Sequence, residues 1–132
     1  MMMTVRADGP ADPDVVWDRY VRPGRWPDWS PQIRSVSYPD EKLSAGGRGV
    51  VNGPCGLSID FVVDEVDEIN RHWRWRVTRA GIALTLDHSV SADMDGETTG
   101  SGTTTTLDIS GPAPIVLGYA PIARIALGRL VR

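Results

Sequence analysis

The 132-residue sequence has one cysteine, one phenylalanine and an almost balanced set of charges. With Cys55 as the single thiol, no intrachain disulfide can form, and nothing calls for an oxidising compartment. Apolar runs of membrane length are missing too. The opening "MMMTVRADGP" has no apolar core of signal-peptide length, and the uncharged stretch Gly111 to Ala123 is too short to cross a bilayer. Fourteen basic residues against 17 acidic ones leave a net charge of −3, which supplies no field to gather polyanions. Metal-ligand spacing is lacking as well. Cys55, His72 and His88 fit no zinc pattern, and "DEVDE" has neither the glycine nor the spacing of a calcium loop. No glycine-rich phosphate loop opens a helix, "AGGRG" reads as a turn between strands, and there is no nucleophile elbow. Cys55, between Pro54 and Gly56, reads as an ordinary thiol in a turn. These absences lead us to expect a cytoplasmic protein without metal, cofactor, nucleic-acid partner or stable membrane insertion.

What is present suits a globular chain: 41% of residues are apolar and 23% charged. At this length we expect one domain over residues 1–132, burying roughly two thirds of the surface its unfolded form exposes. "MTVRAD" is compatible with a short strand. Asp12 then supplies a helix cap, Pro13 suits the first helical position and Asp14 complements the dipole, while Val16, Trp17, Tyr20 and Val21 share one side. Pro23 and Gly24 end that helix. In "GRWPDWSPQI" two tryptophans, Trp26 and Trp29, sit among prolines that restrict the chain, a pattern suited to roofing one end of a sheet.

From Gln32 to about Gly111 the dominant period is two. "HWRWRV" sets Trp73, Trp75 and Val77 against His72, Arg74 and Arg76. "IALTLDHSVSA" sets Leu84, Leu86, His88 and Val90 against Thr85, Asp87, Ser89 and Ser91. In "LSIDFVVDEVDEI", Ile59, Phe61 and Val63 alternate but Val66 has the opposite parity, which predicts a bulge near Asp64. A two-residue turn at Asn70 and Arg71 would place Asp67 opposite Arg74, Glu65 opposite Arg76 and Val66 opposite Trp75. Asp95 to Gly102 reads as a hairpin loop feeding the strand "TTTTLDIS".

The last stretch, "APIVLGYAPIARIALGRLVR", returns to a helical period. Its expected apolar stripe is Ile115, Tyr119, Ile122, Ala126 and Leu130, with Pro121 kinking the helix or marking its true start. About six antiparallel strands with one apolar face, and a helix with an apolar stripe, bury each other in an α+β fold.

"DVVWDRYVRPGRWPDWSPQIRSV" resembles the N-terminal signature of the START-like, or SRPBCC, superfamily, in its polyketide cyclase/dehydrase-like branch. The likeness continues through the later strands, the histidine of "LDHSV", the strand "GTTTTLDI" and the closing helix. It implies a helix-grip fold: a curved antiparallel sheet wrapped around a long C-terminal helix, with one or two short N-terminal helices. It also implies an apolar cavity between sheet and helix, in which relatives bind lipids, polyketides, sterols, hormones or quinones. Because the helix ends soon after Leu130, one end of that cavity is expected to be less covered.

Against that expectation the candidate ligand-binding residues are Phe61, Trp73, Trp75, Leu84, Leu86, His88, Tyr119, Ile122 and Arg129. The aromatics offer a wide rigid wall or, equally, a filled core. His88, on an apolar strand face, is either a group that orients a ligand or moves a proton, or a buried histidine satisfied by a neighbour. Tyr119 is placed to turn a hydroxyl inward. Arg129 is placed either to meet a ligand carboxylate or to pack its stem near the helix end. The expected partner is a small hydrophobic molecule bound by a monomer or loose homodimer. Two rivals stand beside it: a cofactor-independent cyclase or dehydratase using His88, and a partner-binding module whose cavity is filled. "RHWRWRVTR" mixes basic and aromatic residues as single-strand binders do, but alternation sends the two types to opposite faces.

Overall fold

The computed structural model describes residues 1–92 and 102–132. The loop expected over Asp95 to Gly102 therefore lies, except for Gly102, outside the described residues. Among them are seven strands: β1 (Met2–Gly9), β2 (Ser35–Ser37), β3 (Arg48–Asn52), β4 (Ser58–Asp67), β5 (His72–Arg79), β6 (Ile82–Ala92) and β7 (Thr103–Ser110). They form one curved sheet in the order β1-β7-β6-β5-β4-β3-β2, antiparallel at every step. Helices α1 (Pro13–Val21) and α2 (Trp26–Trp29) precede β2, and α3 (Ala113–Leu130) follows β7. The α+β helix-grip expectation is borne out.

Helix α1 starts as its residues dictate: the Asp12 carboxylate accepts from the Asp14 amide, and Pro13 takes the first turn. Its Val16, Trp17, Tyr20 and Val21 are buried. The Trp26–Trp29 segment is a helical turn. Trp26 is buried and donates its indole N–H to the Tyr20 carbonyl at 2.8 Å, which pins α2 against the end of α1. Trp29 meets the Tyr20 ring edge to face at 5.6 Å.

The bulge in β4 falls where parity requires it, between Val63 paired with Trp75 and Glu65 paired with Arg74. Asp64, the extra residue, takes the Arg76 guanidinium through two nitrogens, Nε at 2.8 Å and Nη2 at 2.9 Å. The expected β4–β5 register is wrong by two residues at its turn. Asp67 lies opposite His72, Val66 opposite Trp73 and Glu65 opposite Arg74. The cause is local: the Asp67 carboxylate accepts from the Ile69 and Asn70 amides and from Asn70 Nδ2, so the connection spans Glu68–Arg71 with Ile69 at its exposed tip.

A second correction concerns α3. The buried face is Val116, Ala120, Ala123, Ala126, Leu127 and Leu130, whereas Ile115, Leu117, Ile122 and Ile125 are exposed. Of the expected stripe only Ala126 and Leu130 are buried, with Tyr119 half-buried. Alanines face inward because α3 lies close against β1 and β7, and small side chains permit that approach. Pro121 sits inside the helix and does not mark its start. By length and apolar content α3 could cross a membrane; in this fold it docks one face, from Val116 to Leu130, into the core.

Candidate functional site

Since α3 rests on the β1–β7 side, the sheet's other half is left partly uncovered, and a cavity of about 350 Å³ lies there. The alternation of the strands builds its floor. Val51 comes from β3, Ile59 from β4, Trp75 and Val77 from β5, and Leu84 and Leu86 from β6. Gly53, Pro54 and Leu57 in the β3–β4 connection close one side. Ile115, Tyr119 and Ile122 of α3 form the roof, with Gln32 and Ile33 beside them. A recess of about 280 Å³ shares Ile59, Val77, Leu84 and Ile115 and continues toward Arg79 and Ile82. Such a space, lined by aliphatic and aromatic groups with two polar side chains, suits a small apolar molecule.

Those two polar side chains touch: Gln32 Nε2 donates to the Tyr119 hydroxyl at 3.3 Å. Burial raises the Tyr119 pKa, and the bond from Gln32 partly offsets that rise, so the phenol stays neutral and able to donate. Beyond this pair lies a much smaller chamber of about 20 Å³, walled by Trp29, Trp73, His88 and Leu127 among others. Gln32, Ile33, Trp75 and Tyr119 border both spaces.

His88 is buried on β6, its ring stacked on Trp73 at 4.5 Å and meeting Tyr20 at 4.9 Å. The Trp75 indole donates to His88 Nε2 at 3.0 Å, which assigns the imidazole proton to Nδ1. Burial, and secondarily the charge of His72, pushes the His88 pKa down to about 3. A neutral imidazole with its basic nitrogen occupied is a poor proton carrier near pH 7. It is a fixed hydrogen-bonding group.

Of the nine candidate residues, Trp75, Leu84, Leu86, Tyr119 and Ile122 gather on the large cavity, Ile122 at its exposed rim. Trp73 and His88 border the small chamber. Phe61 is packed between Tyr38 at 5.8 Å and Trp75 at 5.3 Å, away from both linings. Arg129 is placed elsewhere, in a polar surface groove with Arg19, Arg25, Asp28 and Arg132. Ile59 and Val77 carry the right parity, but their place on the cavity depends on where α3 leaves space. Gln32 carries no sequence signal at all. On the outer face of β5, Arg74 pairs with Asp87 at 3.0 Å and Arg76 with Asp64, while the tryptophans point inward. The basic-aromatic run thus sends its arginines and its tryptophans to opposite faces of the sheet. The described residues hold no cluster of three or more metal-ligating side chains.

A family model described as polyketide cyclase / dehydrase and lipid transport matches residues 2–132. Among solved structures, an uncharacterised protein from Bacillus thuringiensis is similar over 99% of this chain and 96% of its own, with 18% identity and a TM-score of 0.77. A protein from Nitrosospira multiformis shares 16% identity over 99% of this chain and 94% of its own, at a TM-score of 0.78. Ara h 8.0201, a Bet v 1-like fold, shares 14% identity over 98% and 95%, at 0.70. Comparison with curated proteins finds no match.

Proposed function

The chain belongs to the polyketide cyclase/dehydrase and lipid transport family, within the START-like superfamily, and from that premise we propose that it binds a small, neutral, aromatic or polyketide-like molecule in the cavity between sheet and α3. Family and fold are those of hydrophobic-ligand binders. The single observation that supports this cavity as the site is its volume of about 350 Å³ under apolar walls. A dry cavity of about 150 Å³ accommodates benzene, so this one, with the adjoining recess of about 280 Å³, has room for two or three rings. Affinity comes from apolar burial, at about 25 cal/mol per Å² before ordering costs. Tyr119 and Gln32 set the orientation. In this reading the protein works in the cytoplasm as a monomer or loose homodimer.

Titration with N-phenyl-1-naphthylamine tests it. Saturable 1:1 binding with enhanced fluorescence is expected. Ile59→Trp, which puts an indole into the cavity from β4, should weaken it at least about tenfold, as a blocked pocket requires, while the cooperative thermal transition persists. No saturable binding, or unchanged binding by a folded Ile59→Trp variant, would overturn the reading.

A further inference from the structure

The small chamber behind the cavity has unusual chemistry. Trp29 Nε1, Trp73 Nε1, His88 Nδ1 and Gln32 Oε1 are buried side-chain atoms without a protein hydrogen-bond partner among the described residues. All four belong to residues that border the chamber. Trp73 is 1% exposed, His88 5% and Trp29 8%. Buried polar groups are nearly always paired, so four unpaired atoms on residues that border one space of about 20 Å³ call for an occupant.

Their types define it. Both indoles can only donate, and His88 donates from Nδ1 because Nε2 already accepts from Trp75. Three donors thus stand against one acceptor, Gln32 Oε1, whose amide nitrogen is engaged with Tyr119. None of the residues bordering the chamber is a cation, which disfavours a carboxylate or phosphate there. The volume admits one oxygen atom at the tip of a larger molecule. Gln32, Ile33, Trp75 and Tyr119 border both chamber and cavity, so a molecule lying in the cavity is parted from the chamber by a single layer of side chains, the Gln32–Tyr119 pair among them.

We infer that the chamber is a carbonyl-binding subsite: it takes the oxygen of a neutral aromatic ketone whose ring system lies in the adjoining apolar cavity. The inference rests on the ligand-binding reading above and adds to it a class of ligand. The carbonyl's two lone pairs accept from two of the three N–H groups, so Trp29, Trp73 and His88 select for an acceptor oxygen while the cavity selects for apolar bulk.

Calorimetric titration with 2-acetylnaphthalene and with 2-ethylnaphthalene, close in shape but lacking the oxygen, tests this directly. The ketone should bind at least about tenfold more tightly, the equivalent of one good hydrogen bond. In Trp73→Phe and, separately, Trp29→Phe, which keep an aromatic ring but remove the N–H, the ratio of the two affinities should fall toward one. Equal affinities in the unaltered protein would overturn the subsite and leave the cavity reading standing. The chamber would then hold only water. A ratio untouched by both substitutions would also overturn it, and failure of both compounds to bind would overturn subsite and cavity together.

Discussion

His88 shows how one residue's surroundings decide its chemistry. Free imidazole is half protonated at 6.5, but on β6, stacked on Trp73 and accepting from Trp75, it stays neutral down to about pH 3. The unfolded chain takes up a proton below 6.5 that the folded chain refuses. The contribution is therefore fully present above the unfolded pKa and lost as pH falls toward 3. Unfolding free energy should drop by about 1.4 kcal/mol per pH unit across that window. Urea denaturation of the unaltered protein and of His88→Gln at pH 7, 6, 5 and 4 measures it. The variant should lack this part of the slope, and the difference between the two proteins should shrink toward low pH. Asp64 and Asp67, whose pKa values hydrogen bonds lower, act in the same direction but are common to both proteins and cancel. The inward position of His88 was legible in the alternation of "LTLDHSV". Its proton assignment was not, because that depends on Trp75 of the neighbouring strand.

Among the elements, strands were easier to read than the long helix. Each strand has one apolar face, so parity alone orients it, and even the Asp64 bulge is visible as a change of parity. Helix α3 is apolar around most of its circumference, so periodicity offers two faces. Ile115 and Ile122 marked the face that roofs the cavity, whereas the face packed on β1 and β7 carries the alanines, because close approach rewards small side chains. Similarly, the β4–β5 turn was missed by two residues because the Asp67 carboxylate, and not the Asn70–Arg71 pair, sets its length. The seating of α3 depends on Gly9 at the end of β1. A Cβ there would stand 2.1 Å from the Val131 carbonyl oxygen, at the point where the Ala11 amide also bonds that oxygen at 3.0 Å. Gly9→Ala should therefore cost about 1–3 kcal/mol, read as a lower denaturation midpoint, because backbone and not a flexible side chain must move. An unchanged midpoint would show that the junction has room to shift.

At the scale of the molecule, the cavity is what remains when a helix covers only part of a curved sheet. Sequence patterns reveal which residues face inward, but not which of them meet a neighbour. Phe61 and Ile59 share a parity, yet one is packed among rings and the other lines open space. Arg129, for which the sequence left two placements open, lies in a polar surface groove, in keeping with a stem packed near the helix end and a head in water. If the space is a binding site, any ligand that fills it must stabilise the fold by mass action, about 2.7 kcal/mol at a free concentration of 100 times Kd. The melting temperature should accordingly rise with N-phenyl-1-naphthylamine concentration, and a flat response at saturation would contradict specific binding to the folded state.

The pairing of β1 with β7, from Met2 opposite Ser110 to Gly9 opposite Thr103, carries a further consequence for how the molecule is made. On the ribosome, the first strand emerges early and must wait for a partner some hundred residues behind it. Meanwhile the tryptophan-bearing hairpins are already outside the exit tunnel with their greasy side bare. The β1–β7 edge is therefore the last to close, and the nascent chain is most vulnerable to aggregation before Ser110 emerges.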